Sequence, residues 1–172
     1  MITICTVCRG NLHRSPVAAA ALRRELDAGL FRVHSAGLDA VPGQPSPSEL
    51  VAAAAEHGLD LNDHRATPLE SAGQADLYVT MTRQQARQML VDHAWSKGRV
   101  VPYGELPMLL QREVRDGDVL GTVARRSTQL LLGKGSHDIA DPPHDSLKVH
   151  RPLVADLIRT AELISARWPE PR

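Results

Sequence analysis

Segments with the pattern of β-strands alternate with helical segments along this 172-residue chain, and this alternation limits its possible folds more than any other feature. Apolar, β-branched runs predict four strands, at residues 1–7, 31–35, 76–81 and 99–103. Because a helical crossover brings the next strand back in the same direction, the strands are expected to be parallel, with helices on both faces. The sequence therefore predicts an α/β fold, a single domain built on a four-stranded parallel twisted sheet. Ligands of such sheets bind outside the carboxyl ends of the strands.

The helical segments have recognisable starts and ends. The first is predicted at residues 15–30, with Ser15 as its N-cap and Pro16 in its first turn. The second is expected to begin at a capping box formed by residues 46–49 and to end near Gly58. Further helices are predicted at residues 68–72, 83–93, 106–114, 120–132 and 148–168.

The composition argues against several classes of function. Hydrophobic residues make up 42% and charged residues 23%, and the formal net charge is zero. A neutral chain has no general attraction for nucleic acid or anionic membranes, so neither is expected as a partner. No apolar run reaches the roughly 20 residues of a membrane span, and no leader pattern precedes the first strand. The two cysteines, Cys5 and Cys8, are too few for a secreted disulfide framework, so a cytoplasmic location is expected.

One segment combines the groups needed to bind a phosphate and to attack it. Residues 8–15 read Cys-Arg-Gly-Asn-Leu-His-Arg-Ser, a Cys-x5-Arg-Ser loop between the first strand and the first helix. Backbone N–H groups at the start of a helix converge on an anion, and the helix dipole adds positive potential. Gly10 and Asn11 tolerate the unusual backbone angles of such a cradle. The planar guanidinium of Arg14 matches two phosphate oxygens.

The same positive potential stabilises a thiolate at Cys8, which makes this residue a candidate nucleophile. Ser15 can donate a hydrogen bond to that thiolate. Cys5 lies within the strand and is expected to be an inert core residue. A zinc site on these two cysteines is not expected, because the histidines form no matching pair of further ligands. No metal and no other cofactor is therefore predicted.

A thiolate that attacks a phosphate ester needs a general acid to protonate the leaving oxygen. Asp141 is the best candidate, because it begins a stiffened Asp-Pro-Pro segment in a loop near the last helix. Taken alone, an Asp-Pro pair is more typical of a simple turn. The dipeptide by itself therefore favours the turn, and the catalytic interpretation needs further support.

The segment from Cys8 to Pro16 resembles the signature loop of the low-molecular-weight protein tyrosine phosphatases. Further segments resemble this family in the family's order: residues 34–37, 42–45, 58–61, 63–66, 75–81 and 138–142. The resemblance covers most of the chain and implies the Rossmann-like fold of the low-molecular-weight phosphatases, as one domain over residues 1–172. Residues 105–135 are expected to form a longer helical connection than the minimal members have.

The resemblance implies a role for each matching residue. Cys8 would form a phosphocysteine, and Arg14 would hold the phosphoryl oxygens. Asp141 would protonate the leaving oxygen and then activate water, while Ser15 would assist the departure of the thiolate. Asn11 would be held in a strained conformation by Ser35 and His64. The phosphate-binding positions would be those of the loop, namely Arg9, Gly10, Asn11, Leu12, His13 and Arg14.

Three departures from the family pattern bear on protection and substrate choice. His13 stands where the family often has a second cysteine, so a protective disulfide with Cys8 is absent. Pro143 and His144 follow Pro142 where the family often has aromatic residues around a phenol-sized slot, which weakens the preference for tyrosine. Leu12 stands where arginine-phosphatase relatives have threonine, and an apolar residue there favours phosphotyrosine-like esters.

The expected function is hydrolysis of phosphomonoesters, with a phosphotyrosine protein as the substrate. Two alternatives remain: a phosphatase for a small-molecule or sugar phosphate, and a non-catalytic phosphate-binding module. An arsenate reductase of this fold is disfavoured, because no resolving cysteine follows Cys8 in this sequence. No expectation about the oligomeric state follows from the sequence.

Overall fold

The computed structural model of the protein describes residues 1–114, 117–132 and 137–169, with the backbone alone at 127, 128 and 130–132. The described strands are β1 (Ile2–Cys8), β2 (Phe31–Gly37), β3 (Leu77–Thr80) and β4 (Val100–Pro102). They form one sheet in the order β2-β1-β3-β4, and every neighbouring pair is parallel. The predicted four-stranded parallel sheet is confirmed.

The described helices are α1 (Arg14–Glu25), α2 (Ser48–Ala55), α3 (Arg83–Asp92), α4 (Leu106–Arg112), α5 (Val119–Leu132) and α6 (Leu147–Arg167), with short 3₁₀ helices at Leu69–Ser71 and Ala94–Ser96. Residues 115–116 and 133–136, which include part of the expected long connection, lie outside the described residues. Across the ranges that are described, no helix has both the length and the apolar character needed to cross a membrane.

Helices cover both faces of the sheet, because successive side chains of a strand point to opposite faces. On one face, Ile4 of β1 belongs to a buried cluster with Leu22 of α1 and Leu157 of α6, to which α2, α4 and α5 also contribute. On the other face, Cys5 packs in a second cluster with Met89 of α3. Burial raises the pKa of the Cys5 thiol to about 12. Cys5 is therefore an inert core residue, as predicted.

The order of the strands places the end of β1 at a special position. The chain runs from β1 to β2 on one side and then crosses to β3 on the other side of β1. The carboxyl end of β1 is therefore the switch point of the sheet, where α/β sheets form their ligand crevice. Cys8 is the last residue of β1.

The first helix differs from the prediction at both ends. α1 begins at Arg14, and its N-cap position is His13, which makes no side-chain capping hydrogen bond. The prediction of Ser15 as the cap is wrong, because its hydroxyl is used in the site described below. The helix ends at Glu25 instead of residue 30. The Asp27 carboxylate accepts a hydrogen bond at 2.7 Å from the backbone two residues later, and this turn competes with the helix.

The predicted capping box at residues 46–49 is also wrong, because no side chain caps the start of α2. The hydroxyl of Ser46 instead donates to the carbonyl of Leu12 at 2.7 Å. This hydrogen bond ties the segment before α2 to the loop that follows β1. Gly58 follows the end of α2 with a φ of 73°, which is the helix-ending conformation that glycine favours.

Tyr103 provides a test of how the sheet is joined to α6. The residue follows β4, is fully buried, and donates its hydroxyl hydrogen to the carbonyl of Leu157 at 2.8 Å. Tyr103→Phe removes this buried hydrogen bond and keeps the ring, so we expect the free energy of unfolding to fall by about 1 kcal/mol. Urea denaturation followed by circular dichroism measures the change.

The matched control is Thr160→Val, which removes a hydroxyl that donates to the Asp156 carbonyl at 2.9 Å on an exposed part of α6. Water replaces that hydrogen bond, so little change in stability is expected. Equal losses in the two variants would show that the hydroxyl of Tyr103 does not join the two elements.

Candidate active site

Residues 8–15, called the phosphate loop below, run from the end of β1 to the first turn of α1. Four of these residues are almost fully buried: Cys8, Asn11, Arg14 and Ser15. A cavity of about 480 Å³ lies over the loop, and Cys8, Arg14 and Asp141 all line it. The structure therefore brings the three principal predicted residues to one cavity.

Asn11 gives the phosphate loop its shape. Among the described residues other than glycine, it alone has a positive φ, 53°, a conformation that costs about 1 kcal/mol for a residue with a Cβ. Its buried side chain offsets this cost, because Nδ2 donates to the hydroxyls of Ser15 and Ser35, both at 2.9 Å. Its Oδ1 accepts the backbone N–H of Thr67 at 2.9 Å. Gly10 has no positive φ, so the conformational reason predicted for this glycine is wrong.

His64 supports the backbone of the same residue. Its Nε2 lies 2.7 Å from the carbonyl oxygen of Asn11, and a carbonyl only accepts, so Nε2 carries the hydrogen. The pKa of His64 is lowered mainly because burial disfavours the imidazolium, while the hydrogen bond to Asn11 acts in the opposite direction. Asn11, Ser35 and His64 thus meet, as the family resemblance implied. Thr67 completes the set, and no sequence pattern had indicated it.

Ser15 links this network to the candidate nucleophile. Its Oγ lies 3.0 Å from Cys8 Sγ and 3.3 Å from the Ala36 carbonyl oxygen. Because the Asn11 amide donates to Ser15, the hydroxyl hydrogen is left for one of these two acceptors. A thiolate at Cys8 is the nearer acceptor and carries a full charge, so it receives the stronger hydrogen bond.

Gly37, at the end of β2, allows two backbone segments to approach closely. A Cβ built there would lie 2.6 Å from the carbonyl oxygen of Arg9 and 2.8 Å from the backbone nitrogen of Asn11. No side chain fits in that space, so this position requires glycine. The requirement explains the glycine in the His-Ser-Ala-Gly segment that resembles the family.

Arg14 and Asp141 come from distant parts of the chain and meet in the cavity. Arg14 Nη2 lies 2.8 Å from Asp141 Oδ1, and Arg14 Nη1 donates to the carbonyl of Ile139 at 2.9 Å. The side chain of Arg14 is 4% exposed and that of Asp141 is 61% exposed. Arg14 Nε is buried and has no hydrogen-bond partner among the described residues. Of the three guanidinium nitrogens, both Nη atoms therefore contact the loop that carries Asp141, and Nε has no partner among the described residues.

Residues 137–142, called the acid loop below, are held by the ends of the sheet. The backbone N–H of Ile139 donates to the carbonyl of Met81 at 2.9 Å. The carboxylate of Asp138 accepts the backbone N–H of Arg83, at the start of α3, at 2.8 Å. A Cβ at Gly104 would overlap the backbone of the acid loop, so the chain after β4 also contacts it directly.

The remaining side chains of the phosphate loop lie at its rim. Arg9 forms an ion pair with Asp39 at 2.5 Å, and both side chains are about half exposed. His13 Nε2 lies 2.7 Å from Asp145 Oδ1, and this hydrogen bond is the main reason that the pKa of Asp145 is lowered. The same oxygen lies 3.1 Å from Nε2 of His150. Sequence reasoning missed Asp145 and His150, because nothing in their spacing indicates a contact with the phosphate loop.

The comparison with known families agrees with this geometry. The family model described as low molecular weight phosphotyrosine protein phosphatase matches residues 3–105. The chain belongs to this family. The match includes the phosphate loop with Cys8 and Arg14, and it ends before the acid loop. The position of Asp141 therefore rests on the structure rather than on this match.

Individual relatives of the low molecular weight phosphatase family are moderately similar. The chain is 39% identical over 106 residues to a protein of Ralstonia solanacearum named probable low molecular weight protein-tyrosine-phosphatase EpsP, covering 60% of this chain and 72% of that protein. The tyrosine phosphatase AmsI of Erwinia amylovora is 22% identical in structure-based comparison, with a TM-score of 0.74 over 99% of this chain and 95% of that one. The arginine phosphatase YwlE of Geobacillus stearothermophilus is 23% identical, also with a TM-score of 0.74, over 97% and 92% of the two chains. At these identities the two structures show the shared fold alone.

The lowered pKa of His64 predicts a pH dependence of stability. Such a histidine takes up a proton on unfolding when the pH is below its unfolded pKa of about 6.5. The free energy of unfolding is therefore highest above that pH and falls as the pH drops below it. His64→Gln keeps an N–H donor for Asn11 and removes the titrating group. We expect the loss of stability between about pH 7.5 and about pH 5.5 to be smaller in this variant. Urea midpoints at several pH values measure it.

His57→Gln is the matched control, since His57 is exposed on the surface after α2. Its pH dependence is expected to follow that of the wild type. A slope for His64→Gln that equals the slope of the control would mean that His64 does not need to be neutral to support Asn11.

Proposed function

We propose that the protein hydrolyses phosphotyrosine or a closely similar aryl phosphomonoester through a phosphocysteine intermediate at Cys8. The observation that carries the proposal is the meeting of Cys8, Arg14 and Asp141 around one cavity of about 480 Å³. Membership of the phosphatase family makes a phosphorylated compound the substrate. The identity of that compound and the steps below are the proposal.

In the first step, the thiolate of Cys8 attacks phosphorus and the bond from phosphorus to the leaving oxygen breaks. Arg14 and the backbone N–H groups at the start of α1 hold the other phosphoryl oxygens, whose charge is spread in the transition state. Arg14 must exchange its contact with Asp141 for contacts with the phosphate. The freed carboxyl, in its protonated form, then gives its proton to the leaving oxygen.

In the second step, the carboxylate of Asp141 takes a proton from water, and the water oxygen attacks the phosphorus of the phosphocysteine. The phosphorus–sulfur bond breaks, which releases inorganic phosphate and the thiolate of Cys8. The hydroxyl of Ser15, 3.0 Å from the sulfur, stabilises the departing thiolate. The positive charge comes from Arg14 and the helix start, so the proposed reaction has no step that uses a metal ion.

Two observations support an aryl ester as the substrate. The relative from Ralstonia solanacearum is named a probable protein-tyrosine-phosphatase. Leu12 and Val41 line the cavity beside the phosphate loop and offer apolar surface to a ring. The alternative, a small-molecule or sugar phosphate, is favoured by a different observation: the described residues that line the cavity include no phenylalanine, tyrosine or tryptophan.

We also propose a cytoplasmic setting. Cys5 and Cys8 are both free, and a thiolate nucleophile is preserved where thiols are kept reduced. No cysteine follows Cys8 in this sequence to protect it by forming a disulfide.

Replacement of the nucleophile tests the mechanism directly. Cys8→Ser removes the thiolate, and serine is not ionised near neutral pH, so kcat should fall about a thousandfold or more while the fold is kept. Hydrolysis of p-nitrophenyl phosphate between about pH 5 and pH 8, in EDTA and reductant, measures it. Cys5→Ala is the matched control and should keep its activity, because Cys5 lies on the opposite face of β1. Full activity in Cys8→Ser would refute the phosphocysteine mechanism.

The role of Asp141 is tested by varying the leaving group. In Asp141→Asn, phenyl phosphate should lose about 100-fold or more in kcat, because a poor leaving group needs the proton. p-Nitrophenyl phosphate, whose leaving group is stable as an anion, should lose much less. The control is Asp156→Asn, an exposed aspartate of α6 near the acid loop. Equal losses for both esters in Asp141→Asn would assign the general acid to another group.

A further inference from the structure

Two histidines and one aspartate form a cluster beside the phosphate loop, and the proposed mechanism uses none of their side chains. His13 belongs to the loop, Asp145 lies just before α6, and His150 lies in the first turns of α6. One ring nitrogen of each histidine and one carboxylate oxygen of Asp145 lie within 4.8 Å of one another. The same Oδ1 of Asp145 lies 2.7 Å from His13 Nε2 and 3.1 Å from His150 Nε2.

These three groups are the ligands that zinc and similar divalent ions prefer. Two imidazole nitrogens and one carboxylate oxygen make a three-ligand set of the kind that leaves a coordination position open. Bonds of about 2.1 Å to a tetrahedral ion place its ligand atoms about 3.4 Å apart. The observed contacts of 2.7 and 3.1 Å are close to that spacing. An ion therefore needs only small side-chain shifts to replace the hydrogens that now join the three groups.

The cluster is also held in place by its surroundings. His150 is fully buried, and its ring stacks on that of His13 with centroids 5.5 Å apart. Asp145 directly precedes Ser146, whose hydroxyl caps α6 by accepting the backbone N–H of Val149. Two ligands thus belong to the start of one helix and the third to a loop that Asn11 holds rigidly, so the set is largely preformed.

One feature limits the affinity of the site. His150 Nδ1 is buried and has no hydrogen-bond partner among the described residues. When Nε2 binds a metal ion, the ring hydrogen moves to Nδ1, where no acceptor receives it. Loss of such a supporting hydrogen bond typically weakens metal binding by about 10- to 100-fold. The geometry is therefore that of a reversible site rather than a permanent structural one.

We propose that His13, Asp145 and His150 bind a divalent transition-metal ion of the zinc type, and that this ion inhibits the phosphatase reversibly. The ion joins the phosphate loop to the segment that follows the acid loop, because Asp145 is four residues beyond Asp141. Phosphate entry requires Arg14 to part from Asp141, and a bridge between the two loops opposes that separation. The inhibition rests on the proposed function, whereas metal binding does not.

Binding is measured without turnover, in the Cys8→Ser protein, where the active-site thiolate cannot act as a competing ligand. Titration with Co²⁺, followed by the visible absorption of the bound ion and by calorimetry, should show one ion per chain. Asp145→Asn in the same background should weaken binding about tenfold or more. His144→Gln, which changes the exposed histidine next to Asp145, is the matched control and should bind as its parent does. Absence of one-to-one binding, or equal affinity in Asp145→Asn, would overturn the proposal.

Inhibition is measured with buffered Zn²⁺ on proteins that retain Cys8, each rate being divided by that protein's own rate in EDTA. The inhibitory concentration should rise about tenfold or more in Asp145→Asn and stay unchanged in His144→Gln. His150→Gln provides a second ligand variant and should behave as Asp145→Asn does. An unchanged inhibitory concentration in both ligand variants would place the ion elsewhere and refute the regulatory role. No turnover in EDTA would refute the proposed function, and the Co²⁺ titration would still decide the metal site.

Discussion

The buried side chain of Asn11 is the point on which the active site depends. It holds its own backbone in a left-handed conformation and uses its amide to join β2, α1 and the segment around Thr67. This conformation turns the backbone of the phosphate loop between the end of β1 and the start of α1. His64 adds a hydrogen bond to the Asn11 carbonyl at 2.7 Å, and Gly37 leaves the space that the loop occupies. In the proposed mechanism, the geometry around Cys8 thus depends on residues that make no contact with the substrate.

In the proposed mechanism, the contact between Arg14 and Asp141 couples substrate binding to acid catalysis. Arg14 is buried, and the donors that now contact the acid loop are the ones that would bind a phosphate group. It cannot make all of its contacts with both at the same time. Its contacts with Asp141 and the Ile139 carbonyl keep the acid loop over the cavity when no phosphate is bound. The proposed metal site at His13, Asp145 and His150 bears on the same contact, because it joins the phosphate loop to the segment that follows the acid loop. In these proposals, substrate binding, acid catalysis and metal inhibition all depend on the contact between Arg14 and Asp141.

Much of the fold and part of the site could be predicted from the sequence. Short apolar, β-branched runs indicated the strands, because a strand that is buried on both faces is apolar at nearly every position. The predicted caps at Ser15 and Ser46 were wrong for one common reason. Both hydroxyls make hydrogen bonds outside their own helices, that of Ser15 at Cys8 and the Ala36 carbonyl and that of Ser46 at the Leu12 carbonyl, and such contacts override local capping preferences. Thr67, Asp145 and His150 carried no signal, because their contacts exist only across the folded chain.

The sequence by itself determined the parallel α/β fold and the identity of the Cys-x5-Arg-Ser loop. Both depend on residue patterns within short segments, where residues interact with their neighbours in the chain. Only the tertiary structure decided that Asp141, 127 positions after Arg14 in the numbering, lies 2.8 Å from its guanidinium. It also decided that His13 meets two groups from the start of α6. The physical reason is that contacts between distant segments follow from how helices pack on the sheet, and this packing depends on the whole core rather than on any one segment.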